Sequence, residues 1–172
     1  MHSTLRSTES TLKGENKMKA LVCGSFDPIT NGHVDLIKRA ASMFEDVTVG
    51  IFVNSAKRYV FSEEQRLDLI REAIKDVKNA HAELCSGLVA RYCTDNGIGV
   101  IVKGVRNVKD YEYELDMALT NKLLAPKVET LLLPADPSLS GISSSAVRTL
   151  SACKEDVTKL VPECVAKALS KL

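Results

Sequence analysis

A chain of 172 residues with 45% hydrophobic residues, 26% charged residues and a formal net charge of +1 has the makeup of one ordinary soluble globular domain with a single substantial core. The near-neutral balance excludes a global basic field for nucleic acid, so any cationic site must be local. No apolar run reaches the roughly 18 residues of a membrane span, and the N-terminus lacks the apolar core of a secretory signal, which predicts a cytoplasmic protein with no membrane partner.

Residues 1–17 are rich in Ser, Thr, Lys and Glu without sustained periodicity and read as a disordered extension, leaving residues 18–172 for the fold. The five cysteines, Cys23, Cys85, Cys93, Cys153 and Cys164, are odd in number, scattered and without C-x-x-C spacing. They read as reduced thiols, mostly in or near the core.

The apolar run Ala20–Cys23 leads through Gly24-Ser25-Phe26-Asp27-Pro28-Ile29-Thr30-Asn31-Gly32-His33 into an apolar face at helical spacing, Val34, Leu36, Ile37, Ala40, Ala41 and Phe44. This predicts strand, phosphate-binding turn and helix. Gly24 and Gly32 free the backbone to approach a ligand, and Pro28 stiffens the turn between them. A helix beginning near Gly32 turns its unpaired N–H groups and positive dipole end toward an anion above the strand end, and His33 in its first turn reaches the same anion. A Gly-Pro turn capped by Asn31, with a structurally satisfied histidine, is the plainer reading of the same residues.

Val47 to Val53 alternates as a second strand, completing a βαβ unit, and Asn54–Arg58 follows as a polar loop at the sheet edge where open α/β sheets bind ligands. Lys57 is a candidate phosphate contact there, with Arg58 beside it. Ser62-Glu63-Glu64-Gln65 reads as a capping box before a helix to about Ile74, with Leu67, Ile70 and Ile74 inward. Ala82–Cys85 reads as a short strand. A helix is expected over Gly87–Asn96 with Leu88, Val89 and Tyr92 inward, closed by Gly97-Ile98-Gly99.

Val100-Ile101-Val102 is a buried strand run ending in Lys103-Gly104-Val105-Arg106, where two cations bracket a glycine at the same sheet edge and suggest a second anion site. A helix over about Lys109–Leu123 sets Asp110, Glu114, Met117 and Asn121 on one stripe. Thr130–Leu133 is the last strand. The loop Pro134–Gly141 delivers Ile142-Ser143-Ser144-Ser145 to the start of another helix, where hydroxyls and free amides coincide, although a serine run at a helix start is often only an N-cap. Pro162–Leu172 reads as a closing helix. Short apolar runs, each followed by a helix, predict a Rossmann-like doubly wound parallel sheet in a single domain.

The S/T-F-D-P-x-T-x-G-H string resembles the T/HxGH nucleotidyltransferase superfamily, and over its ten residues it is most similar to the phosphopantetheine adenylyltransferase family. That resemblance runs from about Met18 to Leu172 and includes a second signature, Ile142-Ser143-Ser144-Ser145, with Arg148 one helical turn on. It implies adenylyl transfer from ATP to 4′-phosphopantetheine, giving dephospho-coenzyme A and pyrophosphate, with coenzyme A as an inhibitor and a homohexamer as the assembly. By the same resemblance Ser25, Lys57 and Lys103 hold the acceptor phosphate and Val89 lines the pantetheine pocket. His33 is the catalytic residue and holds the ATP α-phosphate with the backbone of Ser25 and Phe26. Gly104, Val105, Arg106, Leu139, Ser140, Gly141, Ile142 and Ser143–Ser145 contact ATP, and Glu114 orients the basic residues.

Nothing in the sequence resembles a protein cage for Mg²⁺, which is expected as a cofactor carried on the ATP phosphates. The family usually has Arg-Gly-x-Arg where this chain has Lys103-Gly104-Val105-Arg106, so a point charge stands in place of a bidentate fork. A nucleotidyltransferase for another phosphate, such as nicotinate mononucleotide, and a regulatory module that has lost transfer activity are the rival readings.

Overall fold

The first strand, β1 (Lys19–Gly24), buries Ala20 and Val22 in one apolar cluster and Leu21 in another, so both its faces are covered. A central strand of a parallel sheet has this property, and its near-continuous apolar sequence follows from it. The computed structural model describes residues 18–53 and 58–172. The expected extension of residues 1–17 and Lys57 lie outside the described residues.

After β1 come α1 (Asn31–Met43), β2 (Asp46–Phe52), α2 (Glu63–Ala73), β3 (Ala80–Cys85), α3 (Val89–Asp95), β4 (Val100–Val105), α4 (Val108–Leu124), β5 (Glu129–Pro134), α5 (Ser144–Ala152) and α6 (Glu163–Leu169). The strands form one sheet in the order β3-β2-β1-β4-β5, and every pair is parallel. The doubly wound sheet expected from the sequence is therefore present. The larger cluster packs Ile37 and Ala40 of α1, Ile70 of α2, Val147 of α5 and Val165 of α6 against one face. The smaller packs Ala90 and Cys93 of α3 with Ala125 and Val128, beyond α4, on the other. β1 and β4 are neighbours whose following helices leave to opposite faces, and the crevice between them opens at the carboxyl ends of the strands.

Local chemistry accounts for the helix starts. Thr30 caps α1: its Oγ1 accepts from the His33 N–H, and its own N–H donates to the His33 ring. The cap is thus Thr30 rather than Asn31, whose backbone and side-chain nitrogens instead donate to Leu160 O and Lys159 O. Ser62 and Gln65 make the expected reciprocal box at α2.

Two expectations need correction. The helix placed at Gly87–Asn96 is shorter, Val89–Asp95, because Gly87 adopts a left-handed φ of 78° that turns the chain before Leu88. Leu88 therefore stands outside the helix, 59% exposed, and the small residues Ala90 and Cys93 take the inward face against Leu21 and Ile101. The closing helix spans only Glu163–Leu169, with Pro162 as its cap residue. All five cysteines are free, and burial pushes the Cys85 and Cys93 thiols up to about 12, as suits inert core thiols. Among the described residues no helix is long and apolar enough to cross a membrane.

Candidate active site

The loops after β1, β4 and β5 and the start of α5 enclose a cleft of about 630 Å³ over the β1/β4 crevice. It continues into a second cavity of about 280 Å³ beneath α3 and α4, with Ser25, Lys103, Glu114 and Tyr59 on the boundary of both. One opening is rich in cations and free amides; the other is lined by Phe52, Val89, Met117 and Ala118.

His33 is held on one side only. Thr30 N–H donates to Nδ1 at 3.0 Å, and Thr30 Oγ1 lies 3.0 Å from the same nitrogen. An Nδ1 that accepts carries no proton, so the neutral ring bears its hydrogen on Nε2, the nitrogen left for the cleft that His33 lines. Burial, with the positive fields of Arg106 and Lys103, lowers His33 from 6.5 to about 4. At neutral pH the imidazole is therefore an uncharged hydrogen-bond donor. The Phe26 ring stands edge-on to it at 5.1 Å, and a Cβ at Gly24 would press on that ring at 3.4 Å. Gly24 itself lines both cavities.

Two of the cleft cations, Arg106 and Lys103, pair with carboxylates of α4. Arg106 takes Asp110 in a fork, Nε to Oδ2 at 2.7 Å and Nη2 to Oδ1 at 3.0 Å, and its Nη1 donates to Ile142 O at 3.1 Å. This hydrogen bonding holds Asp110 below and Arg106 above their ordinary values. Lys103 Nζ lies 3.2 Å from Glu114 Oε2. The approach is out of line for a hydrogen bond, so Oε2 is paired by charge while lacking a hydrogen-bond partner among the described residues. Burial opposes the charge on Lys103, but Cys23, whose Sγ is 4.0 Å away, and Glu114 outweigh it and keep the ammonium above its usual value. Asp110, on the same stripe as Glu114, is the residue that orients Arg106; Glu114 orients Lys103.

The second signature is stitched to the first. Ser144 Oγ donates to Pro28 O at 2.8 Å, and Arg148 Nη1 donates to Asp27 O at 2.6 Å while its Nη2 reaches Ser145 Oγ. At the start of α5 Ser143 Oγ accepts from Ala146 N–H, which leaves the Ser144 and Ser145 amides as the helix's open donors. Leu139, Ile142 and Ser143–Ser145 line the cleft, as do Ser25, Phe26, Lys103, Gly104 and Glu114; Val105, Ser140 and Gly141 line neither cavity. Val89 and Asn121 line the smaller cavity.

Three residues escaped the sequence reading. Thr30 positions the histidine, and the signal was present as a capping pattern, Thr30 with His33 three residues on. Asp27 is 2% exposed, and its carboxylate accepts the Val60 and Phe61 N–H groups, tying the turn to the loop before α2. Arg66 is 1% exposed, a charged side chain on the same row of α2 as the buried Ile70.

A family model described as cytidylyltransferase-like matches residues 21–150. The chain is 42% identical over 156 residues to "Phosphopantetheine adenylyltransferase" of Shouchella clausii, covering 90% of this chain and 98% of that protein. The chain belongs to the phosphopantetheine adenylyltransferase family. Proteins of the same name from Bifidobacterium longum and Thermotoga neapolitana are each 47% identical, over 89% and 88% of this chain and 93% and 94% of theirs. A lipopolysaccharide core biosynthesis protein from Thermoplasma volcanium superposes with a TM-score of 0.52 at 19% identity, over 69% of this chain and 96% of that one, which is a likeness of fold alone. As a phosphopantetheine adenylyltransferase family member the chain is a nucleotidyltransferase.

Proposed function

We propose that this site transfers the adenylyl group of ATP to the phosphate of 4′-phosphopantetheine, releasing pyrophosphate and dephospho-coenzyme A. The observation that carries the reading is a neutral His33 whose Nδ1 is occupied by Thr30, leaving an Nε2–H donor for a cleft that also presents Lys103 and Arg106. The acceptor phosphate is anionic at neutral pH, so the attacking oxygen needs no base. Positioning and stabilisation of charge at the α-phosphate are what the protein must supply.

Lys103, Ser25 and the Lys57 loop hold the acceptor phosphate, with the pantetheine arm in the smaller cavity beside Val89. The Phe26 amide and His33 Nε2–H hold the α-phosphate oxygens, on which charge grows during transfer. Arg106, fixed by Asp110, and the Ser144 and Ser145 amides receive the departing pyrophosphate, and Leu139 and Ile142 border the nucleotide. Because His33 donates without surrendering its proton, the ring stays neutral throughout.

Mg²⁺ accompanies ATP in this reading. No three His, Cys, Asp or Glu side chains gather into a cage among the described residues, and Asp110 and Glu114 are taken by Arg106 and Lys103, so the donor set fits an ion carried on the phosphates. Arg106 and the α5 amides would hold it indirectly, through those phosphates, and when bound it would supply positive charge to offset that of the pyrophosphate.

The assembly is a homohexamer in the cytoplasm, subject to inhibition by coenzyme A. Support for self-association comes from α4, which buries none of its residues and exposes Val108, Tyr111, Leu115 and Leu119 in a row at helical spacing. Native mass spectrometry tests the assembly. The reaction is tested by a coupled pyrophosphate-release assay against phosphorylated acceptors, in which 4′-phosphopantetheine should be used and nicotinate mononucleotide should not.

A further inference from the structure

Arg66 is a buried guanidinium on the inner row of α2, and among the described residues it forms no ion pair with a carboxylate. Its Nη1 donates to Ser25 O at 2.8 Å, its Nε lies 3.4 Å from Ser62 O, and its plane covers the Tyr59 ring with 4.1 Å to the centroid. Burying a cation against carbonyls and a ring face costs more than a leucine would at the same core position. A charge therefore stands where packing alone does not require one, and within the phosphate turn it grips one atom, Ser25 O.

That atom is the carbonyl oxygen of the Ser25–Phe26 peptide. In a planar trans peptide the C=O and the following N–H point in opposite directions, so whatever holds Ser25 O also aims Phe26 N–H. Arg66 lines neither cavity, whereas Ser25 and Phe26 both line the cleft, so the pull on the oxygen sends the amide hydrogen toward the cleft. Phe26 N–H makes no hydrogen bond to the protein among the described residues. Phe26 has a φ of 45°, a left-handed conformation that a bulky side chain adopts only when its surroundings impose it. Three restraints impose it: Arg66 on the Ser25 carbonyl, the His33 ring against the Phe26 ring, and Arg148 on the Asp27 carbonyl.

We infer that Arg66 is a positioning residue for adenylyl transfer, holding the Ser25–Phe26 peptide plane so that the Phe26 amide is aimed at the α-phosphate. The inference rests on the adenylyl-transfer reading above and assigns a residue that reading does not use. Arg66 acts from behind the turn, through the peptide, and its fixed charge adds a favourable field at a site that collects phosphates.

The test is steady-state kinetics of Arg66→Met and Arg66→Lys beside the parent and His33→Ala, with folded fraction checked by circular dichroism. Methionine fills the volume without gripping Ser25 O, so kcat should fall by about tenfold or more while the ATP KM stays within about threefold, because a misaimed donor is lost chiefly in the transition state. Lysine can still donate to Ser25 O but lacks the fork and the stack, so it should recover part of the loss and remain below the parent. A kcat for folded Arg66→Met close to that of the parent, or a lysine variant no better than methionine, overturns the inference. If Arg66→Met does not fold, Arg66→Lys decides: parental kcat overturns the inference, and a lowered kcat at unchanged KM supports it. A parent that releases no pyrophosphate removes the function reading and this inference together, whereas an active, His33-dependent parent with insensitive Arg66 variants removes this inference alone.

Discussion

Thr30 N–H donates to His33 Nδ1 across 3.0 Å while Thr30 Oγ1 accepts from His33 N–H, so one helix cap both starts α1 and sets the tautomer of the residue beside the cleft. A capping box ordinarily uses Glu or Gln at this third position. With histidine there, the same local geometry leaves Nε2–H as the outward donor.

His33→Ala should therefore lower kcat by about 10²–10³ while ATP affinity stays within a few-fold, since the lost donor acts on transition-state charge. Isothermal titration with ATP beside steady-state turnover separates the two. An equal loss in ground-state binding would place His33 among the ordinary ATP contacts.

The lowered value of His33, about 4 against an ordinary 6.5, also sets a pH window for stability. Between those values the unfolded chain binds the proton and the folded chain does not. This contribution to stability is complete above pH 6.5 and is lost as pH falls toward 4, with a slope of at most about 1.4 kcal/mol per pH unit. Denaturant melts across that range should be less pH-dependent in His33→Gln than in the parent.

Asp110→Asn should raise the ATP KM by about tenfold and leave the 4′-phosphopantetheine KM within about twofold, because the variant breaks the charged fork that aims Arg106. A defect falling mainly on the acceptor would exchange the two anion sites.

Lys103→Ala should lose about tenfold or more in kcat/KM for 4′-phosphopantetheine, the consequence of removing a charged partner and leaving Glu114 unpaired at the cavity wall. Lys103→Arg should keep activity. Gly104 lies within β4 and is paired with Leu133, so the backbone there is fixed, but Lys103 borders both cavities and a guanidinium has space beside it. Parental activity in Lys103→Ala would mean that the acceptor site is built without this lysine.

Asp27→Ala should destabilise the fold by about 2–4 kcal/mol, since it strands the Val60 and Phe61 N–H groups that the buried carboxylate now accepts. Thermal melts of the two proteins check this. A midpoint unchanged within error would show that the loop before α2 finds other partners.

The parts of this site that could be read from the sequence are those whose causes are local. The run from Ala20 to His33 announces strand, turn and helix within a few residues, and Ser62 with Gln65 announces α2. Asp27 and Arg66 could not be read in this way, because their partners lie 33 or 34 and 41 positions away and neither residue type signals burial. The division of labour between Asp110 and Glu114 was hidden for another reason. Both sit on one helical stripe, and only the fold reveals that the first faces Arg106 and the second Lys103. At α3 the apolar pattern pointed to Leu88, and a left-handed Gly87 moved it out of the helix.

In the proposed reaction the acceptor phosphate itself attacks the α-phosphorus of ATP in this cleft. Supplying 4′-phosphopantetheine with ¹⁸O in its phosphate and following products by mass spectrometry tests it most directly. All of the label should stay in dephospho-coenzyme A, including its bridging P–O–P oxygen, with none in pyrophosphate, and His33→Ala should slow the appearance of this product. Label in the pyrophosphate, or ATP turnover that does not need the acceptor, would contradict it.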